Sequence, residues 1–148
     1  MVEVTDKAIS PETVIAKVKN DGTGCVVSYI GLIRNRSHGK PVLSVQYQDS
    51  KGKAETTLRE IVGEANHKWH VENIAVSHRT GTLTVGEISL VIAIASAHRR
   101  EGFAACRYII NQFKQRLPTR KAETYHDGSI DVEEAAQQRR NQHGAVRI

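Results

Sequence analysis

The sequence predicts an α+β fold, and three observations carry that reading. Runs rich in β-branched residues occur beside segments with a 3.6-residue apolar period, and the two intermix without regular strand–helix alternation. One run, Ile88 to Ala95, is apolar at nearly every position, which marks a strand covered on both faces rather than one. At 148 residues the chain can bury most of its apolar surface without staples, and no repeat or linker divides it, so 1–148 is expected to be one domain.

In chain order, Ser10-Pro11-Glu12 opens a short helix. Ser10 is a good N-cap, Pro11 suits the first helical position, and Ile9 can staple onto Val14. Val14, Ile15 and Val18 supply its apolar face, and Asn20 to Gly24 is a turn. Cys25 to Ile33, dense in β-branched and aromatic residues, reads as a central strand. Arg34, Arg36, His38 and Lys40 then crowd a loop closed by Gly39 and Pro41. With no apolar residue to pin it, that loop is expected to be mobile until an anion orders it, except at Arg34, which the strand's end fixes. Val42 to Tyr47 alternates, with Leu43, Val45 and Tyr47 on one face, as a strand pairing back.

A long helix runs from about Ala54 to Trp69, with Leu58, Ile61, Val62, Ala65 and Trp69 in helical period. His67 and His70 have i, i+3 spacing, but no carboxylate or cysteine completes a ligand set, so they read as surface histidines and no metal is expected. Val71 to Arg79 is another strand, with Ile74, Val76 and His78 alternating, and Thr80 to Gly86 is a short connection. Tyr125 to Ile130 encloses a turn. Residues 133–143 are almost wholly polar, so 133–148 is expected to be a polar tail, at most a solvent-facing helix that frays.

The stretch from Glu87 to Glu123 carries the chemistry. The buried run ends at Ser96-Ala97-His98-Arg99-Arg100-Glu101, a basic knot between a strand and a helix, where rigid elements hold side chains and a loop exposes them. Read at about 100° per residue, the helix points Phe103, Cys106, Ile110, Phe113 and Leu117 at the core. Arg100, Arg107 and Lys114 form a basic ridge beside that arc. Pro118 ends the helix, and Lys121 and Glu123 follow on an extended segment. His98, Arg99, Lys114 and Lys121, at the ends of connected elements, are expected to converge with Arg34 in one cationic pocket.

The bulk properties narrow the classes. A net charge of +5 and a pI near 9.4 favour anionic partners: a phosphorylated small molecule, an acidic protein surface or nucleic acid. Cys25 and Cys106 stand far apart with no CxxC, as two reduced, packed thiols in a cytoplasmic protein. No segment has the length of a membrane span and the N-terminus has no apolar leader. Few aromatics and no RNP-like or GXXG signature disfavour nucleic acid. Nor is there a Ser-His-Asp order, a Gly-rich phosphate loop or an HExxH set. What remains is Arg34, His98, Arg99, Lys114 and Lys121 with one acid, Glu123. Arginines there would clamp phosphate oxygens, and a lysine crowded by cations would lose affinity for its proton and serve as an acid or base.

These residues resemble a family. Ser96-Ala97-His98-Arg99, the helix with Lys114, and Pro118-x-x-Lys121-x-Glu123 look like the large, catalytic subunit of molybdopterin synthase. So, in the family's order, do Gly31-Leu32-Ile33-Arg34 with Gly39, Lys68-Trp69, and His78-Arg79-x-Gly81-x-Leu83-x-x-Gly86-Glu87. The resemblance covers roughly residues 10 to 132 and implies an α/β hammerhead core with an additional antiparallel β-sheet. It further implies a homodimer within a heterotetramer, whose other member is a small ubiquitin-like sulfur-carrier subunit. The implied reaction transfers sulfur from that subunit's C-terminal thiocarboxylate to cyclic pyranopterin monophosphate, forming the molybdopterin dithiolene for molybdenum cofactor biosynthesis, with no cofactor of its own. By position, Leu32, Ile33, Arg34, His98 and Arg99 would bind substrate, Lys114 would be the principal catalytic lysine, and Lys121 would assist, with Ala122 and Glu123 in the same strip. Two stretches depart from the family pattern: Thr119 and Arg120 stand where a bulky apolar residue and Trp are usual, and the family's acidic, Tyr- and Met-containing stretch is here Gln46-Tyr47-Gln48-Asp49-Ser50-Lys51. They leave as the alternative a divergent, weakly active or non-catalytic paralogue that acts as a binding module for an anionic partner, nucleic acid or an acidic protein.

Overall fold

The computed structural model describes residues 1–134. The chain begins with β1 (Val2–Thr5), α1 (Pro11–Ala16), β2 (Cys25–Leu32), β3 (Arg36–Ser37), β4 (Lys40–Gln48) and α2 (Ala54–Trp69). It continues with β5 (Asn73–Arg79), β6 (Gly81–Thr84), β7 (Ile88–Ser96), α3 (Arg99–Gln115), β8 (Arg120–Tyr125) and β9 (Ile130–Glu133). Among the described residues these form two sheets, so the α+β expectation with an additional antiparallel sheet holds.

The first sheet has the order β1-β5-β7-β2, with β1 parallel to β5 and the other neighbours antiparallel. Its central strand β7 explains the continuous apolar run. Successive side chains point to opposite faces, and both faces are covered. On one side Val91, Ala93 and Ala95 meet Val14 of α1 and Val18 just after it. On the other, Ile92 and Ile94 join Leu58 and Ile61 of α2 and Ile109 and Phe113 of α3. Helix α1 starts as the sequence dictates, with Ser10 Oγ accepting from the Thr13 amide and Pro11 in the first turn. Helix α2 ends where His70 turns left-handed, at φ 52°. His67 and His70 are both exposed.

The second sheet runs β3-β4-β8-β9, with β6 also on β4, and is antiparallel throughout. Four expectations change here and along α3. Strand β4 pairs with β3, β6 and β8, not back onto β2. Its register shifts between Val42 and Ser44, so Val42 is buried and Leu43 is 49% exposed, outside the face that Val45 and Tyr47 share. The 80–86 connection contains a true strand, because Gly81, at φ 95°, redirects the chain so that Leu83 is fully buried under the ladder to β4. On α3 the buried stripe passes through Gly102, Ala105, Cys106, Ile109 and Phe113, leaving Phe103 61% exposed. The cause is close approach at Gly102: a Cβ there would stand 2.7 Å from Ser96 Oγ and 3.1 Å from a Val27 methyl. That contact rotates the helix so its next residue, Phe103, points away.

The loop expected to be mobile is a tight hairpin. His38 and Gly39, at φ 50° and 74°, make the two-residue turn between β3 and β4. Ser37 is buried, Arg36 donates to the Gly39 carbonyl, and His38 and Lys40 reach Asp131 and Asp127 at 3.4 and 3.3 Å. Ion pairs as exposed as these add little, so buried Ser37 is the firmer anchor. Glu133 belongs to β9; the rest of the polar tail, from 135 onward, lies outside the described residues. No helix among the described residues is long and apolar enough to cross a membrane.

Candidate active site

Strand β8 crosses the middle of the second sheet and presents Lys121, Glu123 and Tyr125 on one face by two-residue alternation. Lys121 Nζ lies 3.1 Å from Glu123 Oε1, and the Tyr125 hydroxyl donates to Glu123 Oε2 at 2.7 Å. Burial alone would raise the Glu123 carboxyl. Hydrogen bonds from Ser37, Tyr125 and Lys121 overcome it and hold the group below the usual carboxylate range. Burial would likewise lower Lys121, but Tyr47, Glu123 and Glu133 outweigh it and its ammonium is held above the ordinary lysine value. The expected proton-poor lysine is therefore not found at Lys121. The physical reason is that its close neighbours are acids and not other cations.

Arg34 and Lys114 line the same cavity as this strip. Arg34 follows Ile33, which is buried and tied by two backbone bonds: its amide donates to the Glu87 carbonyl, and the Gly86 amide donates to its own carbonyl. Arg34 is thus exposed on a fixed stem. Lys114 lies in the last turn of α3, next to buried Phe113. Neither side chain forms an ion pair with another described residue. One cavity of about 320 Å³ is lined by Leu32, Ile33, Arg34, Lys114, Lys121 and Glu123 together. Its walls also include Ser37, Tyr47, Ser89 and Phe113, which the sequence reading did not single out. Tyr47 had a signal, since it alternates with Val45 on a strand. Ser89 had none, being one polar position in an apolar run.

The remaining site candidates lie elsewhere. Ala122 is buried on the other face of β8, so only its backbone borders the strip. His98 is the N-cap of α3 and Arg99 its first residue, both exposed. Lys114 is fifteen residues further along the same helix, roughly 22 Å away at 1.5 Å per residue. His98 lines a second cavity, also about 320 Å³, with His70, Glu72 and Glu101. Within one chain the five cations therefore do not meet. The sequence placed them at the ends of connected elements, but Arg99 and Lys114 sit at opposite ends of one rigid helix.

Neither thiol is set up as a nucleophile. Burial pushes the Cys106 thiol up to about 11, and Cys25 is half-buried with Sγ 3.5 Å from Ser96 Oγ. Among the described residues, His38, Glu123 and Asp131 bring possible ligand atoms within 4.8 Å of one another. Both Glu123 oxygens already serve Lys121 and Tyr125, so a cation there would have to displace an ammonium. The arrangement suits an anion held by Arg34 and Lys114, facing a protonated lysine on an ordered strip.

Comparison with known proteins gives the family and the fold. The family model described as MoaE protein matches residues 4–116. A molybdopterin synthase catalytic subunit of Thermoplasma volcanium is 38% identical over 128 residues, covering 86% of this chain and 93% of the relative. The solved structure of molybdopterin synthase from Staphylococcus aureus superposes with a TM-score of 0.82 at 27% identity, over 88% of this chain and 95% of that one. A solved complex of subunits 1 and 2 of the molybdopterin-converting factor from Helicobacter pylori shares the fold, with a TM-score of 0.65 at 15% identity over 93% of this chain and 91% of that one. Matched by the family model over most of its length, and by a catalytic-subunit relative over nearly the whole of both chains, this chain belongs to the MoaE protein family.

Proposed function

We propose that this chain is the catalytic subunit of a molybdopterin synthase, moving sulfur from the thiocarboxylate tail of a small ubiquitin-like subunit onto cyclic pyranopterin monophosphate. The observation that carries the reading is a cavity with three cationic side chains, Arg34, Lys114 and Lys121, and no activated thiol of its own. A reaction whose nucleophile arrives on a partner needs that combination. Family membership and this cavity favour the enzyme over the binding-module alternative.

In this reading Arg34 takes the phosphate, since a guanidinium pairs its oxygens in two-pronged fashion. Lys114, on the open end of α3, meets the incoming tail, and Lys121 donates a hydrogen bond to oxygen as negative charge develops on it. Glu123 keeps Lys121 charged and aimed. Two transfers build the dithiolene and open the cyclic phosphate. Each leaves the tail as a carboxylate once water has cleaved the acyl–sulfur bond.

His98 and Arg99 act on the same substrate only if a second copy supplies them, because one chain holds them roughly 22 Å from Lys114. The working unit is therefore a homodimer with each cavity completed by the other copy's α3 N-terminus, carrying two small subunits in a cytoplasmic heterotetramer. The Helicobacter pylori complex of two converting-factor subunits, alike in fold, supports a small-subunit partner. The test is conversion of cyclic pyranopterin monophosphate by the purified chain with a thiocarboxylated partner, followed as the fluorescent oxidised product. Stoichiometric product is expected. A stable complex without product removes the enzymatic reading.

A further inference from the structure

His78 lies on β5, is fully buried, and touches no open space. Its Nδ1 is 2.9 Å from the Ser89 carbonyl oxygen, and its Nε2 is 3.1 Å from Thr119 Oγ1. A carbonyl only accepts, so Nδ1 carries the proton and donates. Burial disfavours a second proton on the ring, so Nε2 is the acceptor of a neutral imidazole and the Thr119 hydroxyl donates to it. Both partners are buried, and Thr119 is only 1% exposed, so water cannot replace either bond cheaply. The ring edge also packs against two aromatics, Tyr47 and Phe113, each at 5.0 Å between centroids and nearly perpendicular.

Three of these four contacts lead to a site lysine. Phe113 directly precedes Lys114 on α3. Thr119 stands just before β8, two residues ahead of Lys121, and Tyr47 is the residue opposite Lys121 in the β4–β8 register. Ser89, Tyr47 and Phe113 all line the cavity, so His78 lies directly behind its wall. A filler of the same volume would serve the core as well. A ring that holds the Ser89 carbonyl of the cavity wall and touches three neighbours of the site lysines, Thr119, Tyr47 and Phe113, does more.

We propose that His78 is a positioning residue that sets the seats of both site lysines, with the Thr119 hydroxyl as the connection to Lys121. The inference deepens the sulfur-transfer reading and rests on its choice of cavity. Thr119→Val keeps the side-chain volume and removes only the donor, while Thr119→Ser restores it. In the complex with thiocarboxylated partner, Thr119→Val lowers kcat about tenfold, the scale of one hydrogen bond misplaced at a reacting centre, and leaves KM within about twofold. Thr119→Ser returns kcat toward wild type. In ¹⁵N-lysine-labelled protein the Lys121 ammonium resonance moves in Thr119→Val while that of Lys40, which binds Ser129 instead, stays. A kcat within about twofold of wild type, or an unmoved Lys121 resonance, overturns the assignment. A wild-type protein without turnover removes the sulfur-transfer reading alone, and the Lys121 resonance then decides this one.

Discussion

The two ends of α3 are built differently. At its C-terminal end Lys114 overlooks a cavity whose other walls are already in place: Glu123 holds Lys121, Ile33 anchors Arg34, and His78 braces the wall from behind. At its N-terminal end His98 and Arg99 are exposed, His98 makes no capping bond with its side chain, and a buried oxygen of nearby Glu101 has no partner among the described residues. One end is preorganised within a single chain and the other is not. In the proposed enzyme, electrostatic preorganisation is where rate enhancement comes from. The first end is therefore expected to set kcat, and the second to contribute only where another molecule meets it.

The largest effect that would sharpen this contrast is at Lys114. Its side chain is exposed and pairs with no described residue, so Lys114→Ala removes a charge from the cavity without opening the core. Product formation is expected to fall by at least about a hundredfold, in line with loss of a principal charge-stabilising group, with the melting temperature unchanged. Measured turnover near wild type would place the chemistry elsewhere in the fold.

A smaller effect tests whether the two ends belong to one site. Arg99→Ala alone is expected to cost about tenfold, as a substrate clamp does. Mixed dimers of Lys114→Ala with Arg99→Ala are the sharper measurement. If the second copy completes each cavity, one cavity in the mixed dimer carries both defects and its neighbour carries none, so activity returns to about half of wild type. If both residues serve a site within one chain, mixing restores nothing. The same failure would break the comparison, because both ends of α3 would then serve their own chain's site and the exposed end would need no second copy.

How far the sequence revealed this arrangement depended on what kind of force decided each feature. Helix α2, with bounds at Ala54 and Trp69, was legible because a long amphipathic period and the fold agree. Strand β7 was legible because burial on both faces leaves a continuous run. Ser10-Pro11 was legible because capping is local. Phe103 and Leu43 were misread because each is set by a long-range event, a helix seated on Gly102 in one case and a bulge against β8 in the other. The site divides the same way. Arg34, Lys114 and Lys121 could be picked out by residue type and position. Periodicity along α3 could not say that His98, at its N-cap, and Lys114, in its last turn, would line different cavities.

The smallest prediction concerns pH and returns to the braced end. Burial is the largest influence on His78 and lowers its pKa below the ordinary 6.5; the hydrogen bond to the Ser89 carbonyl and the Asp49 charge oppose it without prevailing. A group whose folded pKa is depressed binds fewer protons folded than unfolded. Its contribution to stability is complete above 6.5 and declines as pH falls from there toward the folded value. The carboxyls held low, Glu64, Glu87, Glu123 and Asp127, weaken the fold chiefly below their ordinary values of 4.5 and 3.8; the Met1 amino group, lowered from 8.0, declines in the same direction as His78 but is common to wild type and variant, so the difference between the two proteins isolates the ring. Urea midpoints are therefore expected to drop from about pH 7 to about pH 5 in the wild type. In His78→Gln, whose amide can still donate to Ser89 and accept from Thr119, the midpoint should be lower throughout but flatter over that interval. An equal slope in both proteins would mean that the ring is not the titrating brace, and that the ordered end of α3 owes its rigidity to the Lys121–Glu123 strip alone.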